Sequence, residues 1–216
     1  LTDFMYMKEI CCDAAITAMI DSGLPISKRT AKKILFKMYS QYGIEYQRIF
    51  QKFLKKVTGK LDYRMLANAI TAYRRRQAGI LEPYPHVRGT LIKLKEMGLK
   101  LAIVSDAPRM RAWLRLSEMN LAEFFDVVVT LGDVKRLKPH SAPFRAAIRK
   151  LNIPATEILF VGDNPERDIK GAKRFGMLTA LAKYGQKFPT KGTKADFILN
   201  DFSDLLKIIK KQNLQA

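Results

Sequence analysis

The strongest constraint on the fold is a change of sequence pattern near residue 83. After Glu82-Pro83-Tyr84-Pro85, short apolar runs rich in β-branched residues alternate with amphipathic segments of helical period. Such alternation is typical of parallel strands joined by helical crossovers. The predicted strands are 101–104, 127–131, 158–161, 178–181 and 197–199, and the predicted helices are 87–97, 110–119, 143–151, 167–175 and 205–211.

The segment before this change carries four successive helical stripes of apolar residues, each ending near a glycine or a turn. Ser27 and Asp62 stand where N-caps are expected, because their oxygens can accept the free amides of a first helical turn. The stripes are Phe4, Met7, Cys11, Ala14 and Ala18; Ala31, Ile34, Leu35, Met38 and Tyr42; Ile49, Phe50, Phe53, Leu54 and Val57; and Met65, Leu66, Ala69, Ile70 and Tyr73. We therefore predict two domains, an all-helical one at 4–80 and an α/β one at 81–216 built on a Rossmann-like parallel sheet.

The charge balance is strongly basic, with 39 Lys and Arg against 20 Asp and Glu and a net charge of +19. Three explanations stay open: a charged surface suited to high temperature, steering of anionic substrates, and binding of a nucleic acid backbone. The basic residues are spread through every predicted helix, and the sequence has no RNA-binding signature or zinc-finger spacing. This distribution disfavours nucleic acid as the partner.

The sequence places the chain in the cytoplasm and away from membranes. It has no apolar run long enough to span a bilayer and no basic-then-apolar order at its start. Cys11 and Cys12 are its only cysteines, and neither has a Cys or His at metal-ligand spacing. We predict that both are reduced and structural.

Polar side chains follow three of the predicted strands, at the edge where a sheet of this type binds ligands. Ser105-Asp106-Ala107 offers a hydroxyl and backbone amides before a helix, which suits a phosphate, although a serine there also commonly caps a helix. Lys138 lies in a basic loop beside Pro139, where a solvated surface lysine is the plain alternative.

The third strand ends in the carboxylate pair Asp163 and Asp168, within Val161-Gly162-Asp163-Asn164-Pro165-Glu166-Arg167-Asp168. Carboxylate oxygens suit a hard cation such as Mg²⁺, which takes a few of them together with waters and substrate oxygens. The alternative is that Asp163 or Asn164 caps the helix that opens with Pro165.

Taken together, these segments resemble a known family. LAIVSD, KPH and VGDNPERD are similar, in order and spacing, to the second, third and fourth motifs of the haloacid dehalogenase superfamily. The resemblance extends over essentially the whole chain, and the helical domain is similar to the cap that the superfamily inserts after its first motif.

The resemblance implies a Mg²⁺-dependent phosphatase that hydrolyses a small phosphate monoester through an aspartyl-phosphate intermediate. It assigns phosphoryl binding to Ser105 and to amides near Asp106 and Ala107, and charge neutralisation to Lys138. Asp163 would ligate Mg²⁺, and Asp168 would support the metal's water shell or hold Lys138. The alternative is a catalytically degenerate relative whose basic helical domain binds an anionic partner or nucleic acid.

One motif of the superfamily is expected outside the given sequence. Its first motif is an apolar strand followed by two aspartates one residue apart, and Leu1-Thr2-Asp3 resembles only the tail of it. We therefore expect the nucleophilic aspartate about five residues before Leu1, with its partner as general acid and base. The 216-residue chain on its own is expected to fold poorly and to be inactive.

The first-motif strand is central in that superfamily, so the resemblance also predicts the spacing of two other strands. The strand ending at Ser105 and the strand ending at Asp163 should stand about 10 Å apart with an open lane between them. Ile103 and Leu159 should then share no backbone ladder.

Overall fold

The computed structural model describes residues 1–187 and 194–213, and the chain divides into two compact units. One unit is Asp3–Leu81, and the other joins Leu1–Thr2 to the chain from Glu82 onward. Among the described residues, none of the helices combines the length and the apolar character that crossing a membrane requires. The role of the first unit as a cap stays a prediction.

The first unit consists of four helices, α1 (Phe4–Asp21), α2 (Lys28–Tyr42), α3 (Ile49–Thr58) and α4 (Tyr63–Ala78). Helix α1 packs against α4 and α2, and α3 packs against the same two helices. Both predicted N-caps are confirmed. Ser27 accepts the amide of Thr30 at 3.2 Å, and Asp62 accepts the amide of Met65 at 2.9 Å.

The buried face of α1 differs from the predicted stripe. Ala14 and Ala18 are only partly buried, because the helix packs on two neighbours and therefore buries a broader face. Tyr42 was also misplaced, since it lies at the end of α2 and is 46% exposed. The two cysteines are free thiols, as predicted. The buried residues of α1 are Met7, Lys8, Cys11, Cys12, Ala15, Ile16 and Met19.

The second unit is an α/β structure with all five predicted strands, which confirms the predicted fold class. Several bounds differ from the prediction by one or two residues, and two of the differences have a clear local cause. The second strand ends early because Thr130 and Asp133 form a capping box that starts a short helix, and the helix expected from Arg167 begins instead as a π-helical turn at Pro165–Ile169. The elements are α5 (Val87–Glu96), β1 (Ala102–Val104), α6 (Arg109–Glu118), β2 (Val127–Val129), α7 (Leu131–Val134), α8 (Ser141–Leu151), β3 (Leu159–Gly162), α9 (Lys170–Lys173), β4 (Leu178–Ala182), β5 (Phe197–Leu199) and α10 (Asp204–Asn213).

The strands form two parallel sheets, β1-β2 and β3-β4-β5. Ile103 pairs with Val128, whereas Leu159 pairs with Leu178. Within the described ranges no backbone ladder connects β1 to β3. The open lane between these strands stays a prediction.

Close packing holds α8 against the segment that follows β3. The ring of Phe144, on α8, lies 5.2 Å from the ring of Phe160 on β3. A side chain at Gly171 would overlap the Phe144 ring, so only glycine lets α9 approach this closely. Helix α8 also packs on β1 and β2, and it therefore contacts strands of both sheets.

The two segments of the α/β unit that connect to the helical unit lie side by side. The Thr2 hydroxyl donates to the carbonyl of Glu82 at 2.6 Å, and the amide of Tyr84 donates to the carbonyl of Leu1 at 2.8 Å. The two connections to the helical unit therefore start from adjacent points of the α/β unit.

Candidate active site

Lys138 is anchored at both ends, to the last residue of β1 and to the loop that follows it. Its backbone amide donates to Asp106 Oδ1 at 2.9 Å, and its Nζ donates to the carbonyl of Val104 at 2.8 Å. The same Nζ lies 2.9 Å from Asp168 Oδ1, and the two side chains are only 9% and 2% exposed. A buried, paired ammonium is not the solvated surface lysine that a basic loop would ordinarily carry.

Asp168 lies back over the end of β3 because Gly162 has no side chain. A Cβ at Gly162 would overlap the Cβ of Asp168 and come within 2.9 Å of its Cγ. The amide of Asn164 donates to Asp168 Oδ2 at 3.2 Å. Burial alone would raise the pKa of Asp168, but the charges and hydrogen bonds of Lys138 and Arg167 outweigh it and lower the pKa to about 2.

Arg167 was not predicted as a site residue, yet its guanidinium lies among the carboxylates of the site. Its Nη2 lies 3.1 Å from Asp168 Oδ2 and 3.3 Å from Asp163 Oδ1, and its Nε lies 3.6 Å from Asp106 Oδ2. The spacing of Asp163 and Arg167, four residues apart across a turn, was the available signal. The side chain is 39% exposed.

Asp163 follows β3 directly and keeps half of its side chain exposed. Desolvation and the negative charge of Asp168 raise its pKa, although Arg167 opposes the shift. The predicted capping role belongs to its neighbour, because Asn164 Oδ1 accepts the amide of Arg167 at 2.9 Å. The loop after β4 approaches closely, since a Cβ at Gly185 would lie 3.3 Å from the Cβ of Asp163.

Ser105 extends the ladder of β1, with its amide donating to the carbonyl of Val129 at 2.8 Å. Its Oγ accepts the amide of Ala107 at 3.1 Å. Helix α6 begins only at Arg109, so Ser105 does not cap it. The hydroxyl hydrogen has no acceptor among the described residues and can be donated to an anion. The amide of Ala107 is already used here, and its part in phosphate binding stays a prediction.

The structure brings the predicted site residues together. Lys138 contacts Val104 and Asp106 on either side of Ser105, and Arg167 links Asp106 to Asp163. These contacts connect the ends of β1 and β3 and the loop after α7. The roles assigned to the individual residues stay predictions.

The carboxylates fit one Mg²⁺ only in part. In the described part of the chain no three His, Cys, Asp or Glu side chains form a ready metal cage. Mg²⁺ does not need one, because it keeps several waters and takes one or two carboxylates with substrate oxygens. Asp163 has the exposed carboxylate such an ion requires, whereas both oxygens of Asp168 are held by cations.

Comparison with known proteins identifies the family. A profile described as haloacid dehalogenase-like hydrolase matches residues 28–182. The chain belongs to this family, which confirms the resemblance found in the sequence and makes the protein an enzyme of the hydrolase class.

Several relatives have defined names. The glyceraldehyde 3-phosphate phosphatase of Methanocaldococcus jannaschii is 34% identical over 203 residues, which cover 94% of this chain and 89% of that protein. The pyrophosphatase PpaX of Bacillus cereus is 36% identical over 160 residues, covering 71% of this chain and 74% of its own length.

A solved structure supports the same fold. The crystal structure of a HAD phosphatase from Thermococcus onnurineus aligns with a TM-score of 0.67 at 26% sequence identity. The alignment covers 95% of this chain and 89% of that one. The likeness therefore includes both units of the chain.

Proposed function

We propose that the protein is a Mg²⁺-dependent phosphatase that hydrolyses a small phosphate monoester through an aspartyl-phosphate intermediate in the cytoplasm. The observation that supports this most directly is the paired ammonium of Lys138, held between the ends of β1 and β3 beside Ser105 and the carboxylates. Phosphoryl transfer depends mainly on positioning and on cations around the phosphoryl oxygens.

The relatives favour a small phosphorylated metabolite as the substrate. Five relatives named glyceraldehyde 3-phosphate phosphatase align over 78–99% of the chain, against 71% for three named pyrophosphatase PpaX. Glyceraldehyde 3-phosphate is therefore the first substrate to test, and pyrophosphate is the second.

Lys138 and Ser105 supply donors for the phosphoryl oxygens. The Lys138 ammonium has three N–H bonds, of which one meets the Val104 carbonyl and one meets Asp168. The remaining bond can reach a bound phosphoryl group. The Ser105 hydroxyl adds a neutral donor, because its oxygen already accepts from Ala107.

Asp163 is the residue proposed to hold the metal, with Asp168 acting through Lys138. A bound Mg²⁺ would neutralise charge on the phosphoryl oxygens and help to align them. Asp168 pairs with the Lys138 ammonium at 2.9 Å and holds it in place within the site.

The proposal is tested by phosphate release from p-nitrophenyl phosphate, glyceraldehyde 3-phosphate and pyrophosphate, using the full-length protein with and without Mg²⁺. We expect Mg²⁺-dependent turnover that Lys138→Ala and Asp163→Asn each reduce by at least about 100-fold. Lys173→Ala, at an ion pair outside the site, should retain activity. Turnover that persists in Lys138→Ala would contradict the proposal, and salt-sensitive DNA binding without turnover would favour the degenerate relative.

A further inference from the structure

The guanidinium of Arg167 contacts three carboxylates from two different loops. Arg167 reaches Asp163 and Asp168 after β3 and Asp106 after β1, at 3.3, 3.1 and 3.6 Å. Lys138 supplies a second positive charge to this cluster and pairs with Asp168 at 2.9 Å. Without Arg167, the carboxylates of Asp106 and Asp163 would lack this shared cation and repel each other more strongly.

The contacts of Arg167 with the carboxylates are unequal. It meets Asp168 with two nitrogens, Nε at 3.2 Å and Nη2 at 3.1 Å, and that carboxylate is almost fully buried. It meets Asp163 through one nitrogen at 3.3 Å, and half of that side chain is exposed. The contact with Asp163 is therefore the weaker one, because exposed single-point ion pairs are screened by water.

The backbone around Arg167 is fixed, so a change at the site must come from the side chain. The amide of Arg167 donates to Asn164 Oδ1 at 2.9 Å, and the amide of Asp168 donates to the carbonyl of Asn164 at 2.8 Å. Pro165 starts the turn and restricts it further. The guanidinium can release Asp163 while it keeps Asp168, since the two oxygens of Asp168 already orient it.

We propose that Arg167 is an internal counter-ion that competes with a divalent cation for the carboxylate of Asp163. This inference rests on the proposed function, in which Asp163 holds the metal. Arg167 is then a positioning residue. It keeps the carboxylate cluster neutralised when the cation is absent, and it raises the cation concentration needed to fill the site. When the cation binds, the guanidinium remains on Asp168 and gives up its contact with Asp163.

The test is a Mg²⁺ titration of the full-length protein, followed by calorimetry and by the melting temperature. Arg167→Gln removes the charge and keeps a polar side chain, so half-saturation should occur at roughly threefold to fivefold lower Mg²⁺, the effect of one partly exposed ion pair. Arg167→Lys keeps the charge but cannot span both carboxylates. Its Mg²⁺ midpoint should therefore lie between the midpoints of wild type and Arg167→Gln. Arg109→Gln removes an arginine from an ion pair with Asp133 at 2.7 Å and should leave the midpoint unchanged.

The outcomes separate this inference from the proposed function. A lower Mg²⁺ midpoint in Arg167→Gln, with Arg109→Gln at the wild-type value, supports the inference. If Arg167 has only a structural role, Arg167→Gln should lower the melting temperature without moving the midpoint. An equal or higher midpoint overturns the inference and leaves the metal role of Asp163 intact. If neither wild type nor Arg167→Gln binds Mg²⁺, both this inference and the metal role of Asp163 are overturned. If Arg167→Gln does not fold, Arg167→Lys decides, and a midpoint no lower than wild type overturns the inference.

Discussion

The Nζ of Lys138 lies 2.9 Å from Oδ1 of Asp168, and hardly any of either side chain reaches solvent. The pair couples the loop after α7 to the turn after β3, two segments that are distant in the chain. Because both charges are removed from water, the loss of either partner leaves a buried charge that is costly to accommodate.

We therefore expect Lys138→Met to lower the free energy of unfolding by about 3 kcal/mol, the lower end of the range for a broken buried pair, because Arg167 still neutralises Asp168. Urea denaturation of the two proteins measures the difference. Lys173→Met is the matched control, since its pair with Asp196 at 2.8 Å is about one-third exposed on each side and should contribute less than about 1 kcal/mol. Equal losses in the two variants would contradict the assignment of a buried pair.

Asp168 should make stability depend on pH at the acid end. Its pKa in the folded protein is about 2, below the value of about 3.9 for a free aspartate. As pH falls from about 4 to about 2, the unfolded state takes up the proton first, and roughly 2 kcal/mol of stability is lost.

The comparison of wild type with Asp168→Asn across this pH range isolates the effect of Asp168. The pKa of Asp201 is also about 2, held there by Ser203 and His86. That carboxylate is present in both proteins and cancels in the difference. A variant whose stability falls as steeply with acid as that of the wild type would argue against the role of Asp168.

Asp163 should have the opposite effect on stability. Its pKa is raised in the folded protein, so the unfolded state holds the proton less tightly. Stability should therefore fall as pH rises from the pKa of the unfolded state through that of the folded state. In the absence of divalent cations, Asp163→Asn should therefore melt modestly higher than wild type at pH 7, and the gain should disappear in acid. Added Mg²⁺ should raise the melting temperature of wild type alone. A variant that melts lower at pH 7 would contradict this prediction.

Gly162 should tolerate no side chain. Gly162→Ala places its Cβ against the Cβ and Cγ of Asp168, and it should lower the free energy of unfolding by about 1–3 kcal/mol and reduce activity. Gly89→Ala is the control, because Gly89 lies exposed inside α5 with no heavy atom within 4 Å of an added Cβ. That change should stabilise the protein by about 1 kcal/mol through helix propensity. Thermal and urea unfolding measure the stability of each variant, and Gly162→Ala should be the less stable of the two.

Much of the architecture was predictable, because chain order and apolar periodicity determine which segments become strands and which become helices. The polar residues after β1 and β3 were recognised for the same reason, since parallel strands in one layer end at the same edge. Ser27 and Asp62 show that caps can be predicted as well, since a cap depends on contacts within a few residues.

The contacts of Arg167 could not be predicted in the same way. A guanidinium reaches its partners through four rotatable bonds, and nothing in the spacing of Asp106 and Arg167 shows that they meet at 3.6 Å. Strand β2 ends earlier than predicted because Thr130 and Asp133 form a capping box, which competes locally with strand pairing. The wider buried face of α1 depended on which two helices pack beside it.

The hydrogen bonds that join Thr2 to Glu82 and Leu1 to Tyr84 have a consequence for how such a chain can vary during evolution. Because the α/β unit holds its two connections to the helical unit side by side, the helical unit can be lengthened, shortened or replaced without altering the path of the α/β chain around it. Under the proposed function, a helical unit that acts as a cap could change its choice of substrate while the phosphate chemistry of the α/β unit stays as it is.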